Sequence, residues 1–167
     1  MRFISYLVLV LFGLGNMQAQ QIAATYYNQE AGDYNVGDDC VAVQGYDLVA
    51  YHNENKATKG LSKYQYTIDG IHYFFSSEDH KTLFESQPEN YLPAYGGFCA
   101  FGLGMPNGFG GSLPGKYPIN PETFKIVNGR LYLFYHQDGF DALRLWEKAE
   151  DRIKKMADLR WQHLTRK

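Results

Sequence analysis

Cysteine is scarce in this chain of 167 residues: there are two, Cys40 and Cys99. At most one internal disulfide can form, so a fold held mainly by bridges is out of reach. An excess of positive charge is missing too. The 16 Lys and Arg stand against 18 Asp and Glu, a net charge of −2, which leaves no electrostatic footprint for nucleic acid. Chemistry-bearing motifs with firm spacing are also absent. No GKS/T or GxGxxG follows a strand to cradle phosphate, no GxSxG forms a nucleophile elbow, and no HExxH offers zinc ligands on a helix. Neither a repeat at solenoid periods nor a low-complexity block is evident.

One long apolar run is present, and it stands at the start. Arg2 precedes FISYLVLVLF at residues 3–12, then Gly13-Leu14-Gly15 and a polar stretch ending in Ala19-Gln20. A basic start, a short apolar core and a small residue near the end describe a cleavable signal peptide over residues 1–20. The run is shorter than the ~20 residues a bilayer crossing needs, so no stable membrane anchor is expected. The expected location is the periplasm or the medium outside the cell. Residues 21–40 read as a polar leader. Residues 41–165 read as one domain, long enough to bury a core.

Within that domain, turn chemistry gives the clearest signals. YQYTI and IHYFF flank Asp69-Gly70, and FKIV and RLYLFY flank Asn128-Gly129. Both dipeptides suit the positive φ values of a type I′ turn, which predicts two hairpins. Ser76-Ser77-Glu78-Asp79 predicts a helix start, since hydroxyls accept the free N–H groups and acids suit the positive end. Strands are expected at 40–43 and 48–51, a polar loop at 52–63, and one or two helical turns at 88–95. No regular element is expected in the glycine-rich 96–115. Apolar residues at helical spacing predict one amphipathic helix over 140–164, with Trp146, Ile153, Met156 and Leu164 on its apolar side and Lys148, Glu150 and Lys154 in water. The expected fold is α+β: a small antiparallel sheet of two hairpins packed with a short helix and a long C-terminal amphipathic helix.

The strings VQGYDLVAYHNENKATKG, FFSSEDHKTLFESQPENYLPAYGGFCAFG, NGRLYLFYH and MADLRW, in that order, resemble the exported branch of the YHS domain family. Cytosolic relatives with this hairpin–helix unit bind metal through cysteines in patterns like DPVCGM and FCSxxC. Matched position by position, Ala50 falls at the first of those cysteines, Ser76 at the second and His80 at the third. The resemblance therefore implies the scaffold but not a four-ligand zinc site, for which one imidazole is too few.

Cys99, in YGGFCAFGLG, remains the sharpest candidate. It could be a buried thiol, half of a disulfide with Cys40 worth about 4 kcal/mol in the chain-entropy model, or a metal or redox ligand. His80 occupies a ligand position of the resembled family and precedes Cys99 by one short helix, and Met105 could add a thioether. Thiolate, imidazole and thioether together suit copper, a soft ion, over hard cations. Tyr46, Asp47, Tyr73 and Tyr95 are expected to line an apolar pocket, although Asp47 also fits a turn-capping role. The expected function is an exported ligand-binding module, handling a metal ion such as copper or a small ligand. The alternative is a structural or interaction module in which Cys99 is core or disulfide-bonded. A redox enzyme built on Cys99 finds no activating neighbour in the sequence.

Overall fold

The computed structural model describes residues 34–105 and 115–165. The signal-peptide reading, residues 21–33 of the leader and the glycine-rich residues 106–114 lie outside the described residues. The first unit opens with a turn, Val43–Gly45, whose residues all take positive φ (46°, 53° and 77°). Asp47 then caps helix α1, Leu48–Glu54, by accepting from the N–H groups of Val49 and Ala50. Asn55 closes that helix in the left-handed region. The strand expected at 48–51 is thus a helix. Four consecutive apolar residues fit either element, and the Asp47 cap decides between them. The strand expected at 40–43 is also not formed. Val41 and Ala42 make single bridges to His72 and Val36, while Cys40 and Val43 have positive φ.

Strands β1, Leu61–Ile68, and β2, Ile71–Phe75, form the first hairpin as expected, with Asp69 and Gly70 at φ 51° and 80°. A register shift between Leu61 and Gln65 extends β1 into the expected loop. Helix α2, Glu78–Ser86, starts where its cap predicts: the Ser77 hydroxyl accepts from the His80 N–H, and Glu78 and Asp79 fill the first turn. A 3₁₀ turn at Pro88–Asn90 follows, and then a second left-handed turn inside Ala94–Gly97. The glycine-rich stretch does contain an element after all, the short helix α3, Ala100–Gly104, with Cys99 as its N-cap residue.

Strands β3, Asn120–Val127, and β4, Arg130–Phe134, form the second expected hairpin, with Asn128 and Gly129 at φ 50° and 74°. A third, unanticipated hairpin joins β5, His136–Gln137, to β6, Phe140–Asp141, around Asp138-Gly139. Each hairpin is its own two-stranded sheet, so the α+β class stands while the hairpins do not merge. The expected single C-terminal helix is two: α4, Ala142–Glu147, and α5, Glu150–Leu164. The Lys125 ammonium clasps both sides of the break, 3.2 Å from Glu147 and 2.7 Å from Glu150. Periodicity hides this break because Trp146 and Ile153 lie seven residues, about two turns, apart.

Trp146 is fully buried against the rings of Tyr132 and Phe134, at 5.6 and 5.4 Å. Ile153 packs on α3 rather than on a sheet. A Cβ at Gly104 would overlap the Ile153 Cγ2 and carbonyl oxygen, so only glycine permits this approach. Met156 is half-buried, Leu164 is exposed, and Glu150 and Lys154 are half-buried rather than free in water, while Lys148 is exposed. The Arg160 guanidinium donates to the Leu103 and Met105 carbonyls, each at 2.5 Å, and so closes the C-terminal end of α3. Among the described residues no helix is long and apolar enough to cross a membrane.

Urea unfolding should show a loss of about 3–5 kcal/mol for Trp146→Ala, as expected for emptying a packed aromatic site. Gly104→Ala should cost about 1–3 kcal/mol through forced separation of α3 from α5. A loss near zero for Gly104→Ala would mean the two helices are not in contact in solution.

Candidate functional site

The buried carboxylate of Asp47, 0% exposed, gathers groups from three elements. Its Oδ1 accepts from Val49 N (2.9 Å) and Ala50 N (3.2 Å) at the start of α1. Its Oδ2 accepts from Ser76 N (2.8 Å) and Ser76 Oγ (2.6 Å) just beyond β2. His80 of α2 brings its Nδ1 to 2.7 Å from the same Oδ2, which fixes the tautomer with Nδ1–H donating. The His80 Nε2 faces outward, 3.5 Å from Glu54 Oε1 at the end of α1. Asp47 is therefore a structural hub rather than a pocket wall. His80, which the sequence reading paired with Cys99, belongs to this hub.

Cys99 sits elsewhere. It is fully buried, its N–H donates to Tyr117 O (3.0 Å), and it bridges Leu133 of β4. Its Sγ accepts from Tyr135 N (3.3 Å) and Gly102 N (3.5 Å). Burial pushes the thiol up to about 11, with those N–H groups pulling the other way, so at neutral pH it is a protonated thiol. Both cysteines are free thiols, and the disulfide considered from sequence is not formed. Met105 is half-buried against the core, and its carbonyl is taken by Arg160. Among the described residues no group of three or more His, Cys, Asp or Glu is arranged to hold a metal ion.

Of the tyrosines expected to line a pocket, Tyr73 and Tyr95 are core residues, 3% and 1% exposed. Tyr95 Oη donates to Asp158 Oδ1 at 2.9 Å, and its ring stacks edge-on to Tyr132 and Trp161. Tyr46 does border a cavity. Two hollows meet at Gln44, Pro118 and Ile119, one of about 620 Å³ and the other of about 490 Å³. The larger is closed by leader residues Asn35, Val36 and Gly37 and floored by Val41, Val43 and Phe74. The smaller runs past Tyr46 towards Glu122, Tyr135 and His136. The Gln44 amide donates to Ile119 O (3.2 Å) and partitions the two. Lys59 Nζ donates to the Gln44 carbonyl and lies 4.7 Å above the Tyr46 ring.

The backbone beneath this partition is strained. Val43 is β-branched yet lies at φ 46°, and Gln44 follows at 53°, both in a region that L side chains rarely occupy. Asn35 holds the other left-handed turn: its N–H donates to Gly96 O (2.8 Å) and its amide to Gly97 O (3.0 Å). Sequence reasoning missed Gln44, Lys59, Ile119 and Asn35, none of which carries a motif. The buried atoms His52 Nε2, Thr58 Oγ1 and Trp146 Nε1 have no hydrogen-bond partner among the described residues.

Comparison with known proteins adds no relative: no family model matches the chain, and neither the curated proteins nor the solved structures include a significant match.

Two solution measurements follow. Native protein treated with an alkylating reagent should be modified at half-buried Cys40 and spared at Cys99, which should react only after denaturation. Rapid native labelling of Cys99 would contradict its burial. Burial also lowers the His52 pKa below the ordinary imidazole value of about 6.5. The unfolded chain then binds the extra proton first, so stability is full above about 6.5 and falls as the pH drops below it. The urea midpoint of His52→Gln should fall less steeply with acid than that of wild type. Equal slopes would show that His52 titrates alike in both states.

Proposed function

We propose that the chain is an exported, YHS-type binding module without catalytic machinery, and that it binds a small organic ligand at the paired hollows around Gln44. The observation that carries this reading is the strained left-handed turn at Val43-Gln44, whose Gln44 lines both of two hollows of about 620 and about 490 Å³. Strain of this kind is retained where a site needs a particular backbone shape, and these volumes suit small molecules. Apolar Val41, Val43, Phe74 and Ile119 would hold the ligand body. Lys59 is the cationic donor that would orient such a ligand, with Asn35, Asp39 and Gln44 as the other polar residues of the larger hollow. The ligand is therefore an amphiphilic molecule with an apolar body and a hydrogen-bond-accepting end.

The copper reading has less support. Cys99 is protonated and buried, its Sγ accepts from backbone N–H groups, and His80 is engaged by Asp47. Copper(I) competition against a chelator should give equal affinities for wild type and Cys99→Ser. A large loss in the variant would restore the thiolate site.

For the hollows, amide-shift mapping with a library of small amphiphilic acids and amides should move the signals of residues 35–37, 44–45 and 119. Pro118→Trp, which fills the shared rim, should abolish those shifts while leaving the fold intact. A ligand that binds Pro118→Trp and wild type alike would place the site elsewhere.

A further inference from the structure

The two halves of the domain share one order of left-handed turn, cap residue, helix and hairpin. In the first, left-handed Val43–Gly45 leads to the cap residue Asp47 and α1; in the second, left-handed Tyr95, Gly96 and Gly97 lead to the cap residue Cys99 and α3. The turn closes through Tyr46 N to Val43 O (3.1 Å) and through Phe98 N to Tyr95 O (3.1 Å). The cap's own N–H goes to Thr58 O (2.9 Å) in one and Tyr117 O (3.0 Å) in the other, and both acceptors lie just before a hairpin. The hairpins then share one register. Leu61 opposite Phe75 and Gln65 opposite Phe74 become Asn120 opposite Phe134 and Phe124 opposite Leu133, with the same irregularity between them. A capped helix then returns, directly in the first half and after the small β5–β6 hairpin in the second: Ser77 accepts from His80 N, and Asp141 accepts from Arg144 N. Each helix lays one aromatic on the matching pair of strand rings. Phe84 lies 5.0 Å from both Tyr73 and Phe75, and Trp146 lies 5.6 and 5.4 Å from Tyr132 and Phe134.

We infer that the chain is one structural unit used twice, and that Cys99 holds in the second copy the post that Asp47 holds in the first. The side chain of each accepts from the third residue of its helix, Ala50 or Gly102. Each also accepts from the first residue past its hairpin, Ser76 (2.8 Å) or Tyr135 (3.3 Å). That side chain pins the helix start to the hairpin end. Cys99 is thus a positioning residue, a neutral sulfur acceptor where the first copy uses a carboxylate. The copies differ in what they add. Ser76 and His80 converge on Asp47, whereas the counterpart positions hold Tyr135 and Arg144. His80 and Cys99 therefore belong to opposite copies. The equivalence is independent of what the hollows bind.

Amide hydrogen exchange of the full mature chain, read residue by residue, tests this. In wild type the Ser76 and Tyr135 amides should both be protected, since each has a side-chain acceptor. Cys99→Ala should speed exchange at Gly102 and Tyr135 by about fivefold or more, the equivalent of one ordinary hydrogen bond. Asp47→Ala should do the same at Ala50 and Ser76, and Cys99→Ser, which keeps an acceptor, should restore much of the protection at Tyr135. Should either alanine variant fail to fold, the wild-type amides and Cys99→Ser still decide. Free exchange at Ser76 or Tyr135 in wild type, or unchanged Tyr135 exchange in folded Cys99→Ala, overturns the equivalence.

Discussion

A single buried carboxylate orders the first half of the domain. Asp47 has no solvent contact, so each of its oxygens must be satisfied from within, and the protein meets that demand from α1, from the residue after β2 and from α2. Desolvating a carboxylate is costly, and the cost is offset only when the surrounding donors are in place together. The helix start, the hairpin end and the second helix are therefore locked in one step. A missing donor leaves a buried charge partly unpaired, which is more damaging than the loss of any one contact suggests.

The second half meets the same geometric need with sulfur. A thiol is a weak acceptor but also an apolar one, and it tolerates a fully buried site among backbone N–H partners such as Gly102 and Tyr135. The trade matches the surroundings. Around Cys99 stand Phe98, Phe101, Leu103 and Leu133, all buried, whereas Ser76 and His80 converge on Asp47. The question posed by a cysteine among aromatics and glycines thus has a structural answer. The glycines allow the left-handed turn, the aromatics fill the core, and the sulfur ties a helix to a hairpin.

What could be read in advance depended on whether the cause was local. Asp69-Gly70, Asn128-Gly129 and the Ser77 cap act through their own backbone neighbours, and each was legible. The run LVAY was not, because burial on all sides removes the periodicity that separates helix from strand. Left-handed Val43 and Tyr95 gave no signal, since neither is a residue type that favours positive φ. The pairing of His80 with Asp47 spans 33 positions and depends on the fold bringing α2 beside α1. The doubled unit escaped notice for a related reason. Gly45 and Gly97, Tyr73 and Tyr132, and Phe75 and Phe134 agree, but unequal connectors between them blur any fixed period.

The grip of Asn35 on the second left-handed turn ties together parts of the chain that are far apart in sequence. Its backbone and side chain together satisfy two carbonyls of a segment sixty residues further on, and the same stretch forms one wall of the larger hollow. Asn35, Val36 and Gly37 are thus part of the folded body, held by tertiary structure rather than by local sequence. A proteolytic cut just after Asn35 would unseat the turn and open the larger hollow at once.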